Sequence, residues 1–195
     1  SNDQTDLVNG AIVTGNFFEV TGVRAQLGRV ITSEDDKTPG AHPVVVISQG
    51  LWQRRFAADP NIIGRQLLLN GNTFSVIGVL PGGFDGLQLG PVRDLYVPMM
   101  MQATMRPPRA GYSGEKNPDL LQVRNNRWLF SVGRLKPGVT PEQAQASLAL
   151  IAKQLEEQHR VNQGRGISIS AFSEGDSPSD RQQLSSVARL LMGVV

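Results

Sequence analysis

At 195 residues, with a 39% hydrophobic fraction, the chain is long enough for one medium domain or two small lobes and can bury a core without covalent staples. Its formal charge is +2, its cations are scattered and its aromatics are only 6%, which argues against a nucleic-acid surface. The absence of cysteine excludes disulfides, thiolate catalysis and thiolate zinc sites, and no run of about 18 apolar residues reads as a membrane span.

In chain order, residues 11–20 read as a strand running into a short helical turn, with Gly15-Asn16 at the break. Ser33-Glu34-Asp35-Asp36 has the composition of a capped turn. Val44-Val45-Val46-Ile47 is a continuous β-branched run and should be a buried strand. Ser48 then caps a helix over about 49–58, with Trp52 and Phe56 on one face and Asp59-Pro60 as the stop. Segments 65–70 and 73–80 flank Asn70-Gly71, whose two positive-φ positions predict a tight hairpin. Gly78, inside the second strand, marks a bulge or a close backbone approach. Asp94 to Pro98 is another short strand, and residues 104–126 form a long polar loop.

Residues 127–135 alternate as a strand with Trp128, Phe130 and Val132 on one side. Thr140-Pro141-Glu142-Gln143 is a capping box with proline at the first helical position, and it opens a helix running to about 159. Ala144, Leu148, Ile151, Ala152 and Leu155 make its apolar stripe. Residues 167–172 alternate again, so 127–173 reads as one β-α-β unit. Ser179 caps a last helix over 180–195. It ends on Leu190, Leu191, Met192, Val194 and Val195, which read as membrane-proximal residues leading to a transmembrane span; a C-terminal helix docked on the core is the competing reading.

The motifs point to a family. Thr14-Gly-Asn-Phe-Phe-Glu-Val-Thr-Gly-Val, then Leu27-Gly-Arg and Glu34-Asp-Asp, resemble the opening of the MacB-like periplasmic core domain. Pro43-Val-Val-Val-Ile-Ser-Gln-Gly-Leu-Trp-Gln-Arg-Arg-Phe, Asp59-Pro-Asn-Ile-Ile-Gly-Arg, Leu69-Asn-Gly and Phe74-Ser-Val-Ile-Gly-Val follow in the same order. Trp52-Gln-Arg-Arg-Phe and Leu95-Tyr-Val-Pro-Met-Met are similar to the unfused, internally duplicated permeases of acidobacterial type. Together they cover about residues 11–100; no single motif is specific, but their order and spacing are.

The resemblance implies an α+β fold: a porter-like β-α-β lobe interrupted by an inserted β-rich lobe. On this sequence that gives 1–30 as the N-terminal part of the porter-like lobe and 31–125 as the inserted lobe. Residues 126–175 form the porter-like β-α-β, and 176–195 the membrane-proximal helix. It also implies a non-catalytic extracytoplasmic domain, anchored in the inner membrane, that transmits the motion of a separate cytoplasmic ATPase and contacts a periplasmic protein partner or cargo. It implies no cofactor, no metal and no nucleic acid. A ligand-binding sensor ectodomain is the alternative, and it would need a deep apolar pocket with converging polar groups.

The residues themselves offer little chemistry. No Gly-x-Ser-x-Gly elbow or Walker lysine motif occurs, so nucleophilic hydrolysis and ATP turnover have no visible seat in this chain. His42 and His159 lie in different elements without paired ligand spacing. Glu34-Asp35-Asp36 lacks the alternating oxygen spacing of a calcium loop and reads as capping and solvated acids. Glu156-Glu157 diverge on a helix and are not an acid-base dyad. Trp52 and Phe56 read as core residues before ligand-groove residues. Met99, Met100 and Met101 are a candidate contact surface, because flexible thioethers adapt to varied partners; core filling is the competing reading.

Overall fold

A computed structural model describes residues 7–84, 86–87, 93–105, 119–122 and 128–170. The expected terminal helix, with Leu190, Leu191, Met192, Val194 and Val195, lies outside these residues, as does most of the long polar loop. The chain divides into two compact units, 1–120 and 121–195.

The first unit is built on one mixed sheet. Its elements are β1 (Gly10–Val13), α1 (Phe17–Thr21), β2 (Leu27–Gly28), β3 (Val44–Ile47), α2 (Gln49–Phe56), β4 (Gln66–Leu69), β5 (Asn72–Val79), β6 (Leu95–Pro98) and α3 (Gln102–Met105). The order across the sheet is β1-β6-β3-β5-β2, and β4 also pairs with β5. β1 runs parallel to β6, and β3 runs antiparallel to β6 but parallel to β5.

Local chemistry explains most of these elements. The Ser48 side chain accepts the amide of Leu51 at 3.1 Å and starts α2. Asn70 (φ 49°) and Gly71 (φ 81°) turn β4 into β5 with Leu69 opposite Asn72, the expected two-residue hairpin. At Gly78 both sequence readings hold. The β3–β5 register shifts there, with Val45 opposite Val76 but Val46 opposite Gly78, so Ile77 is the extra residue of a bulge. The bulge also changes the phase of β5, and Phe74, Val76 and Val79 therefore all reach one core. A side chain at Gly78 would be driven into the carbonyl of Arg29, which is the close approach.

Each face of the sheet carries its own core. Val45, Ile47, Leu51, Ile62, Phe74, Val76, Val79, Leu95, Val97 and Met101 pack on one side, with Trp52 and Phe56 of α2 against them. Val13, Phe18, Ile31, Val46, Leu80 and Tyr96 pack on the other, with Phe17 and Phe84 beside them. The boundary expected at residue 30 is therefore not a boundary of the fold. β1, α1 and β2 belong to the same sheet and cores as residues 31–105, because β1 finds its ladder partner in β6, 85 residues away. Sequence-local reasoning cannot see such a pairing.

Past α2 the backbone takes two consecutive left-handed residues, Ala57 (φ 50°) and Ala58 (φ 55°). Each costs an alanine about 1 kcal/mol relative to glycine. The Trp52 indole holds the turn by donating to the Asp59 carbonyl at 2.9 Å. Ala57→Gly is expected to stabilise the first unit by about 1 kcal/mol in urea unfolding, with an unchanged m value.

The second unit is described around α4 (Pro141–Gln158). Its start is the predicted capping box: Thr140 Oγ1 accepts the Gln143 amide at 3.3 Å, and the Thr140 amide donates to Gln143 Oε1 at 3.0 Å. Of the predicted stripe, Ala144 and Leu148 are buried, Ala152 and Leu155 are half-buried, and Ile151 is exposed. Residues 128–135 form no strand, contrary to the alternation; Leu129 and Phe130 are both exposed. Alternation describes what a strand's faces would be, but a strand forms only with a ladder partner, and among the described residues none pairs with this segment. On the far side of α4, Ile169 makes a single bridge. The side-chain amide of Gln145 stands in for a neighbouring strand there: it donates to the Ile167 carbonyl at 2.7 Å and accepts the Ile169 amide at 2.7 Å.

Candidate functional site

The polar chemistry of the first unit concentrates in three aspartates: Asp94 and Asp36 tie loops to the ends of β1 and β6, and Asp35 holds Arg29. Asp94, just before β6, is buried. Its Oδ2 accepts the Asn9 amide at 3.1 Å, and its Oδ1 accepts Arg54 Nη2 of α2 at 2.6 Å. Its backbone amide donates to the Asn9 carbonyl at 2.7 Å, and its carbonyl receives the Ser48 amide at 2.8 Å. One residue thus joins the entry to β1, the start of β6 and the start of α2.

Asp36 does the same at the opposite ends of these strands. Its Oδ2 accepts the Gly15 amide, just past β1, at 2.9 Å. Its Oδ1 accepts the Met100 amide, just past β6, at 2.8 Å. β1 is therefore held at each end by a carboxylate on a backbone amide, and Asp36 holds the end of β6 in the same way, a charge-assisted bond stronger than a neutral one.

Asp35 faces the other way. It forms a forked pair with Arg29, at 2.6 Å and 2.8 Å, and also accepts the Thr32 amide and hydroxyl. The Arg29 hydrogen bond is the main reason its carboxyl is held down to about 2, and the same bond raises the guanidinium of Arg29. Because the folded value lies below the ordinary carboxylate value, the stability Asp35 contributes is fully present above about pH 4 and is lost as pH falls towards 2. Arg29 is half-exposed, so solvent screening reduces the contribution to on the order of 1 kcal/mol. Asp35→Asn is expected to lower stability by about that amount at pH 7 and to flatten the pH 2–4 limb of a stability titration.

These contacts settle the predicted acidic cluster. Glu34 points to Lys37 at 2.6 Å, Asp35 to Arg29 and Asp36 to backbone amides, so the three carboxylates diverge. Among the described residues, no group of three acidic or histidine side chains could hold a metal ion. Glu156 accepts the Gly164 amide at 2.9 Å and closes the turn after α4, where His159 is the C-cap. Trp52 and Phe56 are packed against the core, and the guanidinium of Arg65 lies 5.1 Å from the Phe56 ring centre. The methionine run forms a helical turn after β6. Met101 is buried at 3% exposure and fills the core, which removes it from the candidate contact surface; Met99 and Met100 are half-buried. A strand that continues straight into a helical turn must turn one of three consecutive side chains inward, and it is Met101 that faces Leu51 and Val97 in the shared core.

A groove of about 380 Å³ lies beside Arg29, lined by Gly28, Ile63, Gly64, Ser75, Val76 and Ile77. Its one charged lining residue, Arg29, is already committed to Asp35. The sequence reading missed Asp94, Asp36 and Arg54. Asp36 carried a signal only as part of the capped turn, and Asp94 carried none, since its partners lie 85 and 40 residues away.

A family model described as the MacB-like periplasmic core domain matches residues 1–151, which takes in the whole sheet and most of α4. The chain belongs to the MacB-like periplasmic core domain family. The α+β architecture agrees with that of the periplasmic region of MacB from Actinobacillus actinomycetemcomitans, at 20% identity and a TM-score of 0.52. That match covers 80% of this chain but only 61% of the MacB chain, so the family domain here spans less than two thirds of its relative. A domain of a permease protein from Porphyromonas gingivalis is similar at 17% identity and a TM-score of 0.45, over 78% of this chain and 62% of that one. The extracellular domain of the noncanonic ABC-type transporter YknZ from Gram-positive bacteria is similar at 23% identity and a TM-score of 0.38, over 49% and 45%. No curated protein matches the chain.

Proposed function

We propose that this MacB-like domain is the extracytoplasmic part of an ABC-type permease at the inner membrane, and that it relays motion without catalysing a reaction. The family match over residues 1–151 is the observation that carries this reading. A separate cytoplasmic ATPase would supply the energy, as the family membership suggests.

The clamps support a mechanical role. Chain entering at Asn9 is bound at once to Asp94, and through it to β6 and α2. A displacement at that point moves the sheet as one body and does not unpeel β1. Such a relay couples to a periplasmic partner or cargo only if that ligand binds its resting and moved arrangements unequally. Met99 and Met100 are the residues of the run that a partner could reach.

The test uses the full-length parent with its ATPase in lipid vesicles. Replacing residues 10–170 by a flexible linker of equal span is expected to leave basal ATP hydrolysis and abolish coupled transport. Transport that persists without the domain would remove the relay role. Arg54→Ala, which cuts one clamp but leaves a folded sheet, is expected to weaken coupling at unchanged basal hydrolysis.

A further inference from the structure

We propose that β4 is a strand-pairing edge, and that its occupant is β4 of a second copy of this chain, joined antiparallel about a twofold axis. This inference stands on the sheet alone and does not rest on the transport reading.

The hairpin sets which backbone groups are free. Leu69 and Asn72 flank the two-residue turn, so they form a hydrogen-bonded pair, and bonded and non-bonded pairs alternate from there. The alternation is checked four pairs further on, where the Val76 amide donates to the Arg65 carbonyl at 2.9 Å. Leu67 and Leu69 therefore bond inward to β5, and the N–H and C=O of Gln66 and Leu68 point outward. No described residue bonds these four groups. The Leu68 side chain is 73% exposed, while Leu67 and Leu69 pack against the core.

An outward row of donors and acceptors on an extended strand is recognised by another extended backbone. Edges that avoid such pairing carry charge or proline, or are bulged. Residues 66–72, Gln-Leu-Leu-Leu-Asn-Gly-Asn, have neither charge nor proline. Self-pairing with Gln66 opposite Leu68 of the partner satisfies all four outward groups on both copies and puts Leu67 opposite Leu67. The nearest charge, Arg65, then faces Leu69. The two copies of Arg65 are four strand positions apart, roughly 13 Å, beyond the screening length of about 8 Å at physiological salt. A strand bearing acids or bases in register would gain nothing from this neutral edge, whereas β4 itself matches it in pattern and in lack of charge.

Sedimentation equilibrium of the chain is expected to show a monomer–dimer equilibrium between about 10 μM and 1 mM, as befits a small interface. Leu68→Lys changes an exposed side chain, so the monomer should fold as before, and it is expected to weaken the dimer at least tenfold. The chain has no cysteine of its own. Mixed Gln66→Cys and Leu68→Cys copies should therefore form a disulfide-linked heterodimer, and Lys136→Cys copies should not. A monomer at every concentration overturns the inference and leaves the edge to another protein. A dimer that Leu68→Lys leaves intact, or crosslinking no better than the Lys136→Cys control, places contact on another face and overturns it equally.

Discussion

Phe18→Ala is expected to cost the first unit about 3–5 kcal/mol, enough to unfold a domain of ordinary stability. Phe18 is 1% exposed and is the only residue of α1 buried to that degree. Its ring meets Tyr96 edge-on at 5.5 Å and Phe17 at 5.1 Å, with Phe84 at 6.4 Å. Truncation removes these ring contacts and leaves a cavity between α1 and the sheet, and a five-residue helix has no intrinsic stability with which to hold its place. Phe18→Leu keeps most of the volume and should recover much of the loss. Urea unfolding followed by Trp52 fluorescence in a Trp128→Phe background measures both, because Trp52 packs on the opposite face and reports the whole sheet. A Phe18→Ala protein within 1 kcal/mol of the parent would mean that α1 is not part of the cooperative unit.

Gly78→Ala is expected to cost about 3 kcal/mol or more, the upper range for overpacking. The new methyl group would collide with the Arg29 carbonyl, which is itself fixed because the Arg29 amide donates to Ile77 at 2.9 Å. Neither partner can retreat: Gly78 is paired to β3 on one side and to Gly28 of β2 on the other. Gly71→Ala is the matched control. Gly71 sits at φ 81° with open space around it, so its cost is conformational and only about 1 kcal/mol. Denaturant midpoints for the two variants separate crowding from backbone preference. Equal losses would show that no close approach exists at Gly78.

The features legible in the sequence are those decided within a few residues. Ser48 and Thr140 as caps, Asn70-Gly71 as a hairpin and Gly78 as a crowded bulge all follow from local sterics and hydrogen bonding, and all are present. The family likeness was legible as well, because it lies in the order of motifs along the chain. Non-local pairing was not. Nothing near Gly10–Val13 announces a parallel partner at Leu95–Pro98, and nothing near Asp94 announces Asn9 and Arg54. The same limit works in reverse at 128–135, where a good alternating pattern has no ladder partner among the described residues. The strand clamps of the candidate site were the least legible part, since Asp94 and Asp36 act on groups that only the sheet brings near, whereas Asp35 acts on Arg29 and Thr32 within six residues.

Relay of motion is tested most directly by spin labels on the full-length permease, at Glu19→Cys on α1 and Lys153→Cys on α4, both exposed positions, with any cysteine elsewhere in the full-length protein replaced. Pulsed dipolar distances are read without nucleotide, with ATP, and with ATP and a hydrolysis-dead ATPase. A working relay gives two distance populations whose ratio changes with nucleotide state. One unchanged distribution in all three states, in a preparation that hydrolyses ATP and transports cargo, would contradict it.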